Sequence, residues 1–211
     1  MYYEKLKNRT EAGQLLAKKL LQYQDSDSVV LAIPRGGVPV GYEIAKELHL
    51  PLDIIFSKKI GHPNNKEFAI GAVALDSVIV DENTGVSADY IQKEVLSIQQ
   101  NIRKKYKLYK GNKEPLDLKN KNVILVDDGI ATGNTLLVCL DIVRKKNPAK
   151  IIIAIPVLPF DTLSVFKKNT DELIYLIAAH HFSGISSFYN QFEPVEDEEA
   201  IQMLNYKQPH K

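Results

Sequence analysis

Two adjacent carboxylates, Asp127 and Asp128, directly follow the apolar run Val123 to Val126. The small and hydroxyl residues Gly129 to Thr135 come next (GIATGNT). Paired carboxylates at a strand end can accept hydrogen bonds from vicinal hydroxyls and can stabilise positive charge on a sugar ring. Small residues behind them let successive backbone N–H groups converge on an anion. Thr132 and Thr135 add hydroxyl donors, and the helix read from Asn134 to Val143 presents its positive N-terminal end. A diol site followed by a phosphate site matches a 5-phosphoribosyl group. An ordinary turn uses the same residue types. It accounts for one Asp and one Gly, but not for two acids behind a buried strand together with T-G-N-T. No Lys follows Gly133, so the loop is not of Walker type.

A second strand-end loop is Pro34-Arg35-Gly36-Gly37, after Val29 to Ile33. A glycine pair lets the backbone approach an anion closely, and Arg35 supplies a forked cation. Alone, this is equally a plain strand-to-helix turn.

Positioning these loops falls to alternating elements. Val29–Ile33, Leu52–Phe56, Val123–Val126, Lys150–Val157 and Leu173–Ala179 read as buried strands. Helical spacing covers Asn8–Tyr23, Pro39–Leu48, Ala88–Lys110, Asn134–Val143 and Phe160–Lys168. Asn8 and Glu11 fit a cap for the first of these, and Leu15, Leu16 and Leu20 form its apolar face. Ala72–Leu75 and Val78–Asp81 suggest a strand pair. Ser57 to Phe68 is polar and turn-rich and reads as a functional or mobile loop. The charge run of Ala88–Lys110 reads as a solvated face. The acidic run Glu193–Glu199 reads as the start of a helix. Alternation predicts an α/β fold, a mostly parallel sheet with helices on both faces. Ligands bind outside the carboxyl ends of such strands, so both loops should open on one edge.

The 211 residues suit one domain, and a net charge of +1 gives no global field for nucleic acid. The single cysteine, Cys139, reads as a buried thiol in a reducing compartment. No run approaches the ~20 apolar residues of a membrane span, and Met1–Gly13 lacks a signal-peptide core. A cytoplasmic protein with no membrane or nucleic-acid partner is expected.

VILVDDGIATGNT resembles the signature of the type I phosphoribosyltransferases. IPRGG, with Lys59-Ile60-Gly61-His62-Pro63 and Ile70-Gly71-Ala72-Val73-Ala74, is similar to a subgroup whose acceptor is undefined. The resemblance implies one domain over residues 1–211, a parallel sheet flanked by helices, and a small hood formed by the terminal segments. It also implies transfer of the phosphoribosyl group of phosphoribosyl pyrophosphate (PRPP) to a nitrogenous base, with release of pyrophosphate. Asp127, Asp128 and Arg35 would be catalytic, the two acids on the ribose hydroxyls. Ala131, Thr132, Gly133, Asn134 and Thr135 would wrap the 5-phosphate, and Gly129 would also bind PRPP. Gly36 and Gly37 would form the pyrophosphate loop, with a strained or cis peptide near Arg35-Gly36. Lys58, Lys59 and Lys66 would come from a mobile loop. Mg2+ would be carried by PRPP, with no metal site of the protein's own, and the enzyme would be a homodimer. Ala131 stands where oxopurine enzymes have an Asp, which disfavours hypoxanthine and guanine. An aromatic from Phe188, Tyr189 or Phe192 is a candidate to stack on the base. His180-His181 lacks metal-site spacing. The alternative is a non-catalytic PRPP- or nucleotide-sensing protein of the same fold. A sugar-phosphate hydrolase lacks an obvious nucleophile.

Overall fold

The computed structural model describes residues 5–81 and 83–205. In chain order the helices are α1 Arg9–Lys19, α2 Gly37–Leu48, α3 Ala88–Lys110, α4 Asn134–Arg144, α5 Leu163–Asn169 and α6 Asp197–Leu204. The strands are β1 Ser28–Ala32, β2 Leu52–Ile54, β3 Ser57–His62, β4 Asn65–Ala74, β5 Val78–Val80, β6 Asn122–Val126, β7 Lys150–Pro159 and β8 Glu172–Ala179.

The expected α/β architecture is present. β2-β1-β6-β7-β8 form a five-stranded sheet, and every pairing in it is parallel. Such a sheet is covered on both faces, which explains why its strands are continuous apolar runs rather than alternating ones. Side chains of successive residues point to opposite faces. Val29 and Leu31 join Val123, Leu125 and Ile153 against Leu136, Leu140 and Phe166 of α4 and α5. Val30 joins Ile124 and Ile152 against Leu16 of α1, Leu20 just after it, and Ile44 and Leu48 of α2. Each such buried aliphatic side chain stabilises the fold by about 1.5–3 kcal/mol relative to exposure.

Three boundaries differ from the sequence reading. α1 ends at Lys19, and Leu21–Tyr23 form a separate 3-10 turn. α2 starts at Gly37, ahead of Pro39, because the tight Pro34–Gly36 turn already leads into it. Phe160–Thr162 are a 3-10 turn before α5. The Asn8 cap is present: Glu11 N–H donates to Asn8 Oδ1 at 3.0 Å.

Ser57 to Phe68 is not a loop. β3 and β4 form an antiparallel hairpin turning at Pro63-Asn64, and β5 extends it to a three-stranded sheet. The Asp76-Ser77 turn between β4 and β5 matches the expected strand pair. The apolar residues of the hairpin are few, and their partners are remote in sequence. Ile60, Ile70 and Val73 pack on Ile98 and Ile102 of α3. Its tip is polar and exposed, which gives a local reading the character of a loop.

The two ends of the described chain meet. Leu6 bridges Tyr189, with Leu6 N–H donating to Phe188 O at 2.9 Å and Asn190 N–H to Leu6 O at 2.8 Å. The acidic run does open a helix: Asp197, Glu198 and Glu199 occupy the first turn of α6, where the helix dipole favours anions. α6 then packs on Tyr106 and Tyr109 of α3 through Ala200 and Leu204. Of the terminal segments expected to form the hood, residues 1–4 and 206–211 lie outside the described residues.

Candidate active site

β1 and β6 are neighbours in the sheet, with Ala32 opposite Val126. The two polar loops therefore leave the same edge side by side. Ile33 N–H donates to Val126 O at 2.8 Å, and the Pro34–Arg35 peptide is cis, one residue before the position expected from the sequence. Gly37 N–H returns to Ile33 O at 3.0 Å and starts α2.

The acidic pair is asymmetric. Asp127 keeps some solvent exposure, and its Oδ1 accepts from Asp128 N–H at 2.8 Å. Asp128 is buried. Its Oδ2 accepts from Arg9 Nε at 2.8 Å and lies 2.8 Å from Arg9 Nη2. Tyr189 donates its hydroxyl to Asp128 O at 2.8 Å. Crowding by protein atoms, then the neighbouring Asp128 charge, push the Asp127 carboxyl well above the usual carboxylate range. Burial also raises Asp128, and the Arg9 guanidinium opposes that rise.

Beyond the acids, the loop is anchored from below. Ile130 is buried, and its N–H donates to Val157 O at 2.8 Å. Gly133 sits at φ +80°, and an added Cβ would stand 2.6 Å from the Phe166 ring, so only glycine fits there. Ala131, Thr132, Asn134 and Thr135 are all exposed around it. No side chain caps the N-terminus of α4 at Gly133. Its backbone donors are thus the natural partners of an anion.

Arg35 and Thr135, from different loops, line one cleft of about 540 Å3 with Ser57, Lys105, Tyr109 and Asp197. The Arg35 Nη1 atom lies 3.5 Å from Asp197 Oδ1, and Tyr109 donates a short hydrogen bond to the same oxygen. Burial and the Asp197 carboxylate raise the Tyr109 phenol above its usual range. Sequence reasoning missed Lys105, Tyr109 and Asp197, which lie on the charged helix α3 and on α6. It also missed Arg9. An arginine in the first turn of a helix opposes the dipole, and that was the available signal.

The lysines of the hairpin are placed differently. Lys59 reaches across it to Glu67 at 2.8 Å, and Lys66 donates to Tyr90 and lies 3.4 Å from Glu94. Lys58 is exposed, and the cleft lining includes none of these three. In the C-terminal segment, Tyr189 is buried, Phe188 stacks on Phe182, and Phe192 lies against Arg9. These aromatics pack against protein groups. A different pair, Phe160 after β7 and His180 after β8, stacks at 4.0 Å at the carboxyl edge of the sheet.

An acidic loop, an uncapped helix N-terminus and a cationic loop thus stand on adjacent strand ends of one parallel sheet in a protein of the α/β class. The phosphoribosyl transferase domain family matches residues 2–174, and the chain belongs to that family. Proteins from two strains of Mycobacterium tuberculosis, named only provisionally as phosphoribosyl transferases, are 32% identical to it over 203 residues. The match takes in 94% of this chain and 46% of theirs, so the chain spans about half the length of these relatives. The crystal structure of TT1426 from Thermus thermophilus has a TM-score of 0.85 and 30% identity, covering 97% of this chain and 98% of that one. A purine phosphoribosyltransferase from Pyrococcus horikoshii shares the fold at a TM-score of 0.50 and 21% identity, over 89% and 92% of the two chains.

Proposed function

We propose that this protein moves the 5-phosphoribosyl group of PRPP to a nitrogenous base. In that reaction the bond from C1 to the pyrophosphate oxygen breaks and a bond from the base nitrogen to C1 forms. The base loses a proton, and pyrophosphate leaves. The observation that carries this reading is the juxtaposition of the acidic loop of β6 with the Arg35 loop of β1 at one sheet edge. The Asp127 and Asp128 pair faces the ribose and stabilises positive charge building on its ring. Exposed Thr132, Asn134 and Thr135, with backbone donors from Ala131 to Gly133, take the 5-phosphate. Arg35 and Lys105, on the walls of the cleft, take pyrophosphate. Lys58 and Lys59 would join them only after the hairpin moves.

Among the described residues, no group of three or more His, Cys, Asp or Glu side chains is gathered for a metal. Mg2+ is usually bound through one or two carboxylates plus substrate phosphates. In this reading the Mg2+ ion arrives on the phosphates of PRPP. The acceptor end lies toward β7 and β8, where the stacked Phe160 and His180 suit a planar base. Ala131, exposed in the loop, offers no acid to an oxopurine. No described helix is long and apolar enough to cross a membrane. A cytoplasmic setting, a homodimer and a hood built from the terminal segments complete the reading.

The test is calorimetric binding of Mg-PRPP, followed by a screen of purine and pyrimidine bases scored by pyrophosphate release. Binding that is lost in the Asp127→Asn, Asp128→Asn double variant, with release for one base, is the expected result. Tight PRPP binding with no release for any base would replace the transferase by the sensor. Unchanged PRPP affinity in the folded double variant would remove the ribose role.

A further inference from the structure

Arg9 is a buried cation beside the acidic pair. Its side chain is 12% exposed, against 48% for Arg35. All of its guanidinium is engaged. Nε and Nη2 meet Asp128 Oδ2 at 2.8 Å each, Nη1 donates to Glu193 O at 2.8 Å, and Cζ lies 3.8 Å from the centre of the Phe192 ring. One residue thus joins α1, the acidic loop and the segment leading into α6. Its position in the first turn of α1 is electrostatically unfavourable for a cation. What holds it there is the carboxylate it pairs with.

That carboxylate has little freedom. Gly36 closes on Asp128 Oδ2 from the other loop, leaving no room even for a methyl group. Asp128 N–H is given to Asp127 Oδ1, so the relative placement of the two carboxyls is set as well. The ionisable groups facing Asp128 are Arg9 from α1, Asp127 from its own loop and Tyr189 from the C-terminal segment. Among the described residues, Arg9 is the one cation of this group. Two adjacent carboxylates with no cation would tend to share a proton. A shared proton would withdraw negative charge from the face that meets the ribose.

We infer that Arg9 is a positioning residue for the acidic pair. It consumes Oδ2 of Asp128, opposes by its charge the protonation that burial there favours, and leaves Asp128 Oδ1 and the Asp127 carboxyl to meet the ribose diol. This rests on the phosphoribosyl reading of the site.

The experiment compares wild type, Arg9→Lys and Arg9→Gln by calorimetry with Mg-PRPP across roughly pH 5 to pH 8, starting just above the ordinary carboxylate range. It adds carbon-13 NMR titration of the aspartate carboxyls without ligand. Arg9→Gln should weaken Mg-PRPP binding by roughly tenfold or more at neutral pH, as expected for a lost charged hydrogen bond. The pH at which its affinity falls should rise, and the Asp128 carboxyl should titrate higher. Arg9→Lys keeps the charge but loses the fork, so it should recover the wild-type pH midpoint with only part of the affinity. Wild-type affinity and pH dependence in Arg9→Gln would overturn the inference. So would an Arg9→Lys protein whose pH midpoint departs from that of wild type, a readout that stands even if the glutamine variant does not fold. If wild type itself fails to bind Mg-PRPP, the phosphoribosyl reading falls. The carboxyl titration then still decides whether Arg9 governs Asp128, since an unshifted Asp128 would overturn the ionisation role on its own.

Discussion

Gly36 and Asp128 belong to loops on neighbouring strands, and a Cβ added to Gly36 would stand 2.0 Å from Asp128 Oδ2. The glycine pair after Arg35 can thus be explained by contact between the two loops themselves, before any ligand is considered. Gly37 is also too tight for a side chain, with an added Cβ 2.7 Å from Val126 O. Gly36→Ala should force Asp128 and Arg9 to shift. Overpacking of this kind costs about 1–3 kcal/mol. Urea unfolding should show that loss together with weaker Mg-PRPP binding; a variant normal in both would mean that the loops separate freely.

Asp127 should make the protein less stable as pH rises. Its folded carboxyl holds a proton more tightly than the unfolded one, because burial and the Asp128 charge raise it. Between the ordinary carboxylate range and the raised value the folded state binds more protons, so stability falls with increasing pH. Asp127→Asn should therefore raise Tm at neutral pH, change it little near about pH 3, and abolish PRPP binding. Equal effects on Tm at both pH values would count against the raised carboxyl.

Arg35 shares its cleft with Asp197, and the pair is half exposed, with side chains 48% and 42% accessible. Such a pair contributes little to stability, so its members can be exchanged with the fold intact. Arg35→Ala should weaken pyrophosphate binding more than ribose 5-phosphate binding. Asp197→Asn should tighten pyrophosphate by roughly two- to fivefold, the scale of one exposed charge pair. Titration calorimetry with both ligands distinguishes the two; equal losses for Arg35→Ala would take Arg35 out of the pyrophosphate end.

Cys139 should be inert in the folded protein. It is fully buried, its Sγ lies 3.2 Å from Ser57 Oγ, and burial pushes the thiol up to about 12. Thiolate is the reactive form. Ellman's reagent at mildly alkaline pH should find no thiol until denaturant is added. Rapid native reaction would show that the contact between β3 and α4 opens.

Much of this architecture is local and therefore legible. The buried strands announce themselves as apolar runs, because a parallel sheet covered on both faces admits few polar residues. Asp127 to Thr135 carry acids, small residues and a helix start in nine consecutive positions, so the resemblance that loop carries needs no distant partner. The hairpin from Ser57 to Ala74 was not legible. Its burial depends on α3, and its tip has the composition of a loop.

By itself, then, the sequence determined the α/β class and the make-up of the two strand-end loops, since each follows from neighbours along the chain. Only the tertiary structure decided that β1 lies beside β6, which brings Arg35 and Thr135 to one cleft. It alone decided that Arg9, 119 positions from Asp128, occupies that carboxylate, and that Asp197, 162 positions from Arg35, sits across the cleft. The physical reason is range. Hydrophobic periodicity and turn chemistry act over a few residues, whereas a buried charge finds its partner through whichever elements packing brings together.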